Sequence, residues 1–159
     1  MGFSVAEARF LAAHAGEIAD VAPEVALTKQ SVFADRAVLD ARFGEYARAV
    51  SVLISSQRAA AGKFPEDWLT DADAVQQATP ARVACVRAGR IAAAGVEFVH
   101  DVTCSVGSEA PAFRDAGVAW LGSDLDAARL VMASHNLGPD AWLARADALA
   151  PVSKGGAVV

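Results

Sequence analysis

Cysteine is nearly absent. Cys85 and Cys104 are the two in 159 residues. That is too few for a disulfide scaffold, so both read as reduced thiols of a cytoplasmic protein. No apolar run approaches the roughly 20 residues of a membrane span. Residues 1–10, MGFSVAEARF, place an acid early and lack the apolar core of a secretory signal. No membrane partner is expected. Three scattered histidines and the two cysteines offer no metal-ligand spacing, so no metal is expected either. The phosphate-cradling pattern G-x-G-x-x-G is missing. Positive charge is in deficit: a formal net charge of −5 argues against a general nucleic-acid coat protein.

What is present is apolar and rich in alanine. Apolar residues make up 54% and charged residues 21%, which excludes a disordered chain and allows one ordinary core. The alanine favours helix. Charge is unevenly spread. Residues 1–28 carry Arg9 against four acids, residues 29–90 carry nine Lys/Arg against seven acids, and residues 91–159 carry four against eight. The mildly basic middle reads as a solvated helical surface or as a contact for an anionic substrate.

The stretch that organises the rest is residues 100–126, HDVTCSVGSEAPAFRDAGVAWLGSDLD. Residues 96–102 are rich in β-branched and aromatic side chains and read as a buried strand. Residues 103–108 are all small except Val106, so the backbone can turn sharply there and approach a ligand. Residues 108–116 read as a short helix stopped by Gly117, and residues 118–122 as a second strand ending at Ser123-Asp124. This is a βαβ unit with a ligand-sized opening at the carboxyl ends of its strands.

Upstream, Ser4 and Glu7 have capping-box spacing and predict a helix to about Asp20. Thr28 is the expected cap of a second helix whose apolar side carries Val32, Phe33, Val38 and Leu39. Gly44 breaks it, and residues 45–61 form a third. Residues 1–64 thus read as a helical lobe, and residues 65–78 as a connector anchored by Trp68. Thr79-Pro80 predicts a capped helix over 80–94, with Val83, Val86 and Ile91 inward. Downstream come a helix over 126–136, a strand over 141–145, a loop over 151–156, and residues 157–159 as the start of a fourth strand. The expected fold is α/β: a helical lobe, then over 79–159 the first half of a Rossmann-like doubly wound sheet with about three parallel strands. The expectation that follows is a truncated chain whose exposed sheet edge self-associates.

Asp101 and Asp124 stand 23 positions apart at successive strand ends, which suits an acid that binds ribose hydroxyls. An acid at Asp101 repels a pyrophosphate. A nucleoside with a cationic tail fits better, and S-adenosylmethionine is such a ligand: ribose at Asp124, ammonium near Asp101. Asp147 reads either as the adenine contact or as a loop carboxylate. Cys104 reads as a small packing residue, Asp126 as an N-cap, Asn136 as a C-cap and His100 as a packed histidine.

DVTCSVGSE and VAWLGSDLDAARLVMASHNLGP resemble motif I and the following acidic motif of class I S-adenosylmethionine-dependent methyltransferases. The likeness is to the RNA-modifying branch that includes trimethylguanosine synthase, whose pattern D-x-x-C-G-x-G…D-x-D-x-x-R/K-x-x-x-A-x-x-N falls on Asp101, Cys104, Gly107, Asp124, Asp126, Arg129, Ala133 and Asn136. Thr79, Pro80 and Ala84 resemble the branch's T-P-E-x-x-A helix. The order of elements is similar to that of actinobacterial methyltransferases with a THUMP-like domain. The resemblance implies cofactor contacts at Asp101, Thr103, Cys104, Gly107, Asp124, Leu125 and Asp147, with Gln77, Thr79 and Pro80 flanking the site, and RNA as substrate. Two departures stand out: Ser105 replaces a glycine and Ala81 a glutamate. The family's catalytic tetrapeptide follows its fourth strand, beyond Val159, so no catalytic residue is expected in this stretch. The alternatives are a non-catalytic nucleoside-binding module and a nicotinamide-dependent oxidoreductase fragment.

Overall fold

Short strands, the first two ending in an aspartate, build the centre of the molecule. The computed structural model describes residues 2–159. It contains β1 (Phe98–Asp101), β2 (Ala119–Asp124), β3 (Trp142–Arg145) and β4 (Ala157–Val158), all parallel, in the order β3-β2-β1-β4. Successive strands step one way from β1 to β3, and β4 returns to the other side of β1. That reversal creates a crevice outside the carboxyl ends of β1 and β4. The fold is Rossmann-like α/β, as the sequence pattern implies. β1 and β2 are the inner strands of the sheet, and Val99 and His100 of β1 are fully buried. His100 is packed, its Nε2 at 2.8 Å from Ser123 Oγ and its Nδ1 at 2.7 Å from Ser153 Oγ. Burial holds its pKa below the ordinary histidine value.

Eight α-helices accompany the sheet among the described residues: α1 (Val5–Ala13), α2 (Ala15–Val21), α3 (Val32–Phe43), α4 (Ala47–Ala59), α5 (Ala72–Gln77), α6 (Ala81–Ala93), α7 (Ala110–Asp115) and α8 (Ala127–Leu137). The capping box forms: Glu7 N–H donates to Ser4 Oγ, and Ser4 N–H to Glu7 Oε2. α1 packs on α8. The main core therefore runs from Leu11 and Ile18 through Leu39, Val50 and Leu53 to Val106, Ala128 and Met132. A second cluster, Ala84, Ala88, Val99, Phe113 and Val118, lies between α6, α7 and the sheet.

Several expectations change. The single helix to Asp20 is broken at His14, whose Nδ1–H donates to the Phe10 carbonyl and whose ring stacks on Phe10 at 4.0 Å. Thr28 caps no helix. It bonds reciprocally with Ser31, while the Asp35 carboxylate takes the Ala26 and Leu27 amides and the Ser31 hydroxyl. Phe33 is 87% exposed, because Leu39 and Phe43 supply the inward side of α3. The connector contains α5, capped by Asp71 through the Ala74 amide, while Trp68 is buried as anticipated. On α6 the inward residues are Ala84 and Ala88, with Ile91 half-buried against the same cluster as expected, and Val83 and Val86 face out. Alanine lets the helix approach α7 closely, where a branched side chain would hold it off.

The sheet is intolerant at Gly122. A Cβ there would overlap the end of the Trp120 indole and stand 2.9 Å from Cys104 Cβ. Gly122→Ala is expected to lower stability by about 1–3 kcal/mol in urea unfolding, whereas Phe33→Ser should change it by no more than about 0.5 kcal/mol.

Candidate functional site

The turn after β1 has no regular ladder to satisfy it, so its amides find acceptors in the neighbouring strand ends. Thr103 N–H donates to Asp101 Oδ1 at 3.2 Å and Cys104 N–H to the Ser123 carbonyl at 3.0 Å. Ser105 N–H donates to Asp124 Oδ2 at 3.0 Å, and Asp126 N–H to Asp124 Oδ1 at 2.9 Å. Ser105 sits in the left-handed region at φ 51°. Its hydroxyl accepts from Arg129 Nη1 at 3.1 Å, and Arg129 Nη2 reaches Asp71 Oδ1 at 3.2 Å. Asp126 caps α8, as expected, through the Ala128 and Arg129 amides.

Beside the turn lies a cleft of about 430 Å³, floored by Asp101, Cys104 and Ser105 and walled by the end of α5, by Thr79 and by Arg87 of α6. Asp101, Glu109, Asp124 and Asp126 line it with Arg87 and Arg129. Both arginines are engaged. Arg87 Nη1 is 2.7 and 2.8 Å from the two oxygens of Glu109, which also accepts the Thr79 hydroxyl at 2.6 Å. The cleft is left with an excess of carboxylate. Burial, with Glu109 and Asp124 nearby, raises the Asp101 pKa to about 6 against the opposing Thr103 amide and Arg87. Burial, with Asp101 and Asp124 nearby, pushes the Cys104 thiol well above its usual value, so it carries no thiolate at neutral pH. A cleft of this kind attracts a cation and repels a phosphate.

Over 130 residues the chain is 45% identical to an uncharacterised S-adenosylmethionine-dependent methyltransferase of Mycobacterium tuberculosis, the same figures holding for strains CDC 1551 / Oshkosh and ATCC 25618 / H37Rv. The chain is similar to part of a methyltransferase. The alignment takes in 75% of this chain and 36% of those proteins, so the chain spans about a third of the length of the curated relatives it matches. No family model matches, and no solved structure does.

Asp101, Thr103, Cys104 and Asp124 come together on the cleft, and Gln77 and Thr79 stand in its wall. Gly107 lies just behind it. A Cβ there would come within 2.6 Å of Leu137 Cδ1, so this glycine makes room for α8. Leu125 is 62% exposed next to Asp124. Pro80 is the exposed N-cap of α6, and Thr79, expected as that cap, bonds Glu109 instead. Asp147 is exposed in the loop after β3, with Oδ1 accepting the Leu149 amide, and does not border the cleft. Asn136 is no C-cap; Gly138 takes that position. Its amide instead bonds the Leu69 amide and carbonyl and the Val106 carbonyl. Glu109, Arg87 and Asp71 gave no signal in the sequence. Arg129 did, through its place in the acidic motif.

The raised Asp101 pKa fixes a sign. The folded state holds this proton more tightly than the unfolded chain, so Asp101 favours folding below about pH 4 and the advantage is lost as pH rises through about 6. The loss is at most about 3 kcal/mol. Asp101→Asn should therefore be more stable than the parent in urea at pH 7.5 and no more stable at pH 4. A difference independent of pH would contradict this.

Proposed function

We propose that the cleft binds S-adenosylmethionine, and that the protein to which this stretch belongs transfers its methyl group, in the cytoplasm, to RNA. One observation carries the cofactor reading: a buried carboxylate, Asp101, with three further acids around it, at the topological switch point of a Rossmann-like sheet. A ligand with an ammonium and a sulfonium group answers that charge. The names of the mycobacterial relatives agree with it.

The residues present fit such a ligand. Each Asp124 oxygen is used by a single backbone amide and keeps a lone pair for a ribose hydroxyl. Exposed Leu125 offers a flat base an apolar surface beside it. Thr103, Cys104 and Gly107 shape the turn rather than react; the Cys104 thiol stays protonated, and a direct in-line displacement needs no covalent intermediate. The cofactor supplies an activated methyl group when bound. The chain's part is to hold it in place and keep the floor dry, which is catalysis by proximity and orientation. We assign no catalytic residue to residues 1–159, and propose that this stretch alone binds cofactor without transferring the methyl group. The affinity to the trimethylguanosine synthase branch and to the THUMP-like proteins is part of the same proposal, carried by Thr79, Pro80, Asp124, Asp126, Arg129 and Asn136. So is self-association through the outer edge of β3 or β4, neither of which is paired among the described residues. A clean monomer at high concentration in size-exclusion chromatography would remove that last element.

Calorimetry tests the cofactor. S-adenosylmethionine and S-adenosylhomocysteine should bind and NAD should not; binding of NAD alone refutes the reading. Affinity for S-adenosylmethionine should rise between pH 5 and 7 as Asp101 ionises, and Asp101→Asn should flatten that rise. Asp124→Ala should abolish binding.

A further inference from the structure

The face of α6 that the core does not use is the most unusual surface of the molecule. The helix, ARVACVRAGRIAA, carries three arginines and no acid in a chain of net charge −5. Arg82, Val86 and Arg90 follow each other at i, i+4 and i+8, and Val83, Arg87 and Arg90 at i, i+4 and i+7, so the five form one stripe. Val83 is 49% and Val86 52% exposed. The side chains of Arg82 and Arg90 make no hydrogen bond or ion pair among the described residues, although Arg36, Arg42 and Arg48 on the helical lobe are each paired with an acid. Arg87, at one side of the stripe, borders the cleft and grips the buried Glu109.

We propose that this stripe is the docking surface for a single-stranded RNA substrate. The phosphates lie along Arg82 and Arg90, and sugars or bases rest on Val83 and Val86. Charge complementarity selects the occupant and also its orientation. The cleft carries four carboxylates against two arginines already paired, so a phosphate backbone cannot enter it and is held outside on α6. The uncharged base is the part of the strand that can turn towards the cofactor. Placement of a base at the cleft rests on the cofactor reading above; the docking surface itself does not.

The test is anisotropy of a fluorescein-labelled single-stranded RNA dodecamer titrated with the full chain between about 50 and 200 mM salt. The chain should bind, with affinity falling as salt rises. Arg82→Gln with Arg90→Gln should weaken binding about tenfold and reduce the salt slope by about 1.4, two phosphates at about 0.7 each. Val83→Ser with Val86→Ser should weaken binding and leave the slope unchanged. Absence of binding by the parent chain overturns the proposal, as does an unchanged slope in the arginine pair. Equal competition by polyglutamate would assign the stripe to an acidic protein instead and equally overturn it. Calorimetry with S-adenosylhomocysteine separates the two readings. The arginine pair should bind it as the parent does, and loss of that binding would make the stripe part of the cleft and overturn the proposal. RNA binding that needs Arg82 and Arg90, in a chain that binds no S-adenosylhomocysteine, supports the docking surface and removes the cofactor reading alone.

Discussion

A buried turn that is neither helix nor strand must still satisfy its own amides, and this requirement shapes the site. Four of the five N–H groups from Thr103 to Gly107 find acceptors. Two are met by backbone carbonyls and two by the carboxylates of Asp101 and Asp124. Those acids stand at the carboxyl ends of adjacent strands because the parallel register sets Asp101 beside Gly122, two residues before Asp124. The same groups thus fold the turn and charge the cleft. Asp124→Ala would remove negative potential and the side-chain acceptors of two backbone amides at once, so shape and charge are not separable here.

α8 carries that constraint to the rest of the molecule. Its N-cap is tied to Asp124 through the Asp126 amide. Its first turn reaches back with Arg129 to Ser105 and Asp71, and its last latches Asn136 onto Leu69 and Val106. Asp71 in turn caps α5. One helix therefore sets the floor of the cleft and the wall beside it in register, while its other side packs on α1. A helical lobe that reads as separate in the sequence shares a core with the sheet's helix.

The parts of this arrangement that were legible share a cause. Strand, small-residue turn, helix and strand each impose a local pattern, and acids at strand ends lie next to those patterns. The acid positions, the Asp126 cap and the buried Trp68 followed from them. What was not legible depends on partners distant in the chain. Thr79 has every local mark of a cap, yet Glu109, thirty residues on, takes its hydroxyl. Asn136 sits where a C-cap belongs but finds Leu69. On α6, side-chain apolarity points to Val83 and Val86 as the inward residues. Close approach of α7 and the sheet puts Ala84 and Ala88 at the centre of the contact, with Ile91 half-buried beside them, and the valines are turned out beside the arginines. Interior packing selected for size before hydrophobicity.

Ser105 shows how a departure from the family pattern is absorbed. A left-handed φ costs a non-glycine residue roughly 1–2 kcal/mol. The serine hydroxyl offsets part of this by accepting from Arg129. With Asp71 on its other nitrogen, that guanidinium is largely buried, and a buried charge demands partners on all sides. A glycine at 105 would relieve the backbone but leave Arg129 one acceptor short beside the cleft. The strain in the turn and the pairing of Arg129 are therefore opposite sides of one balance, and the serine follows from a neighbour on α8 rather than from the ligand.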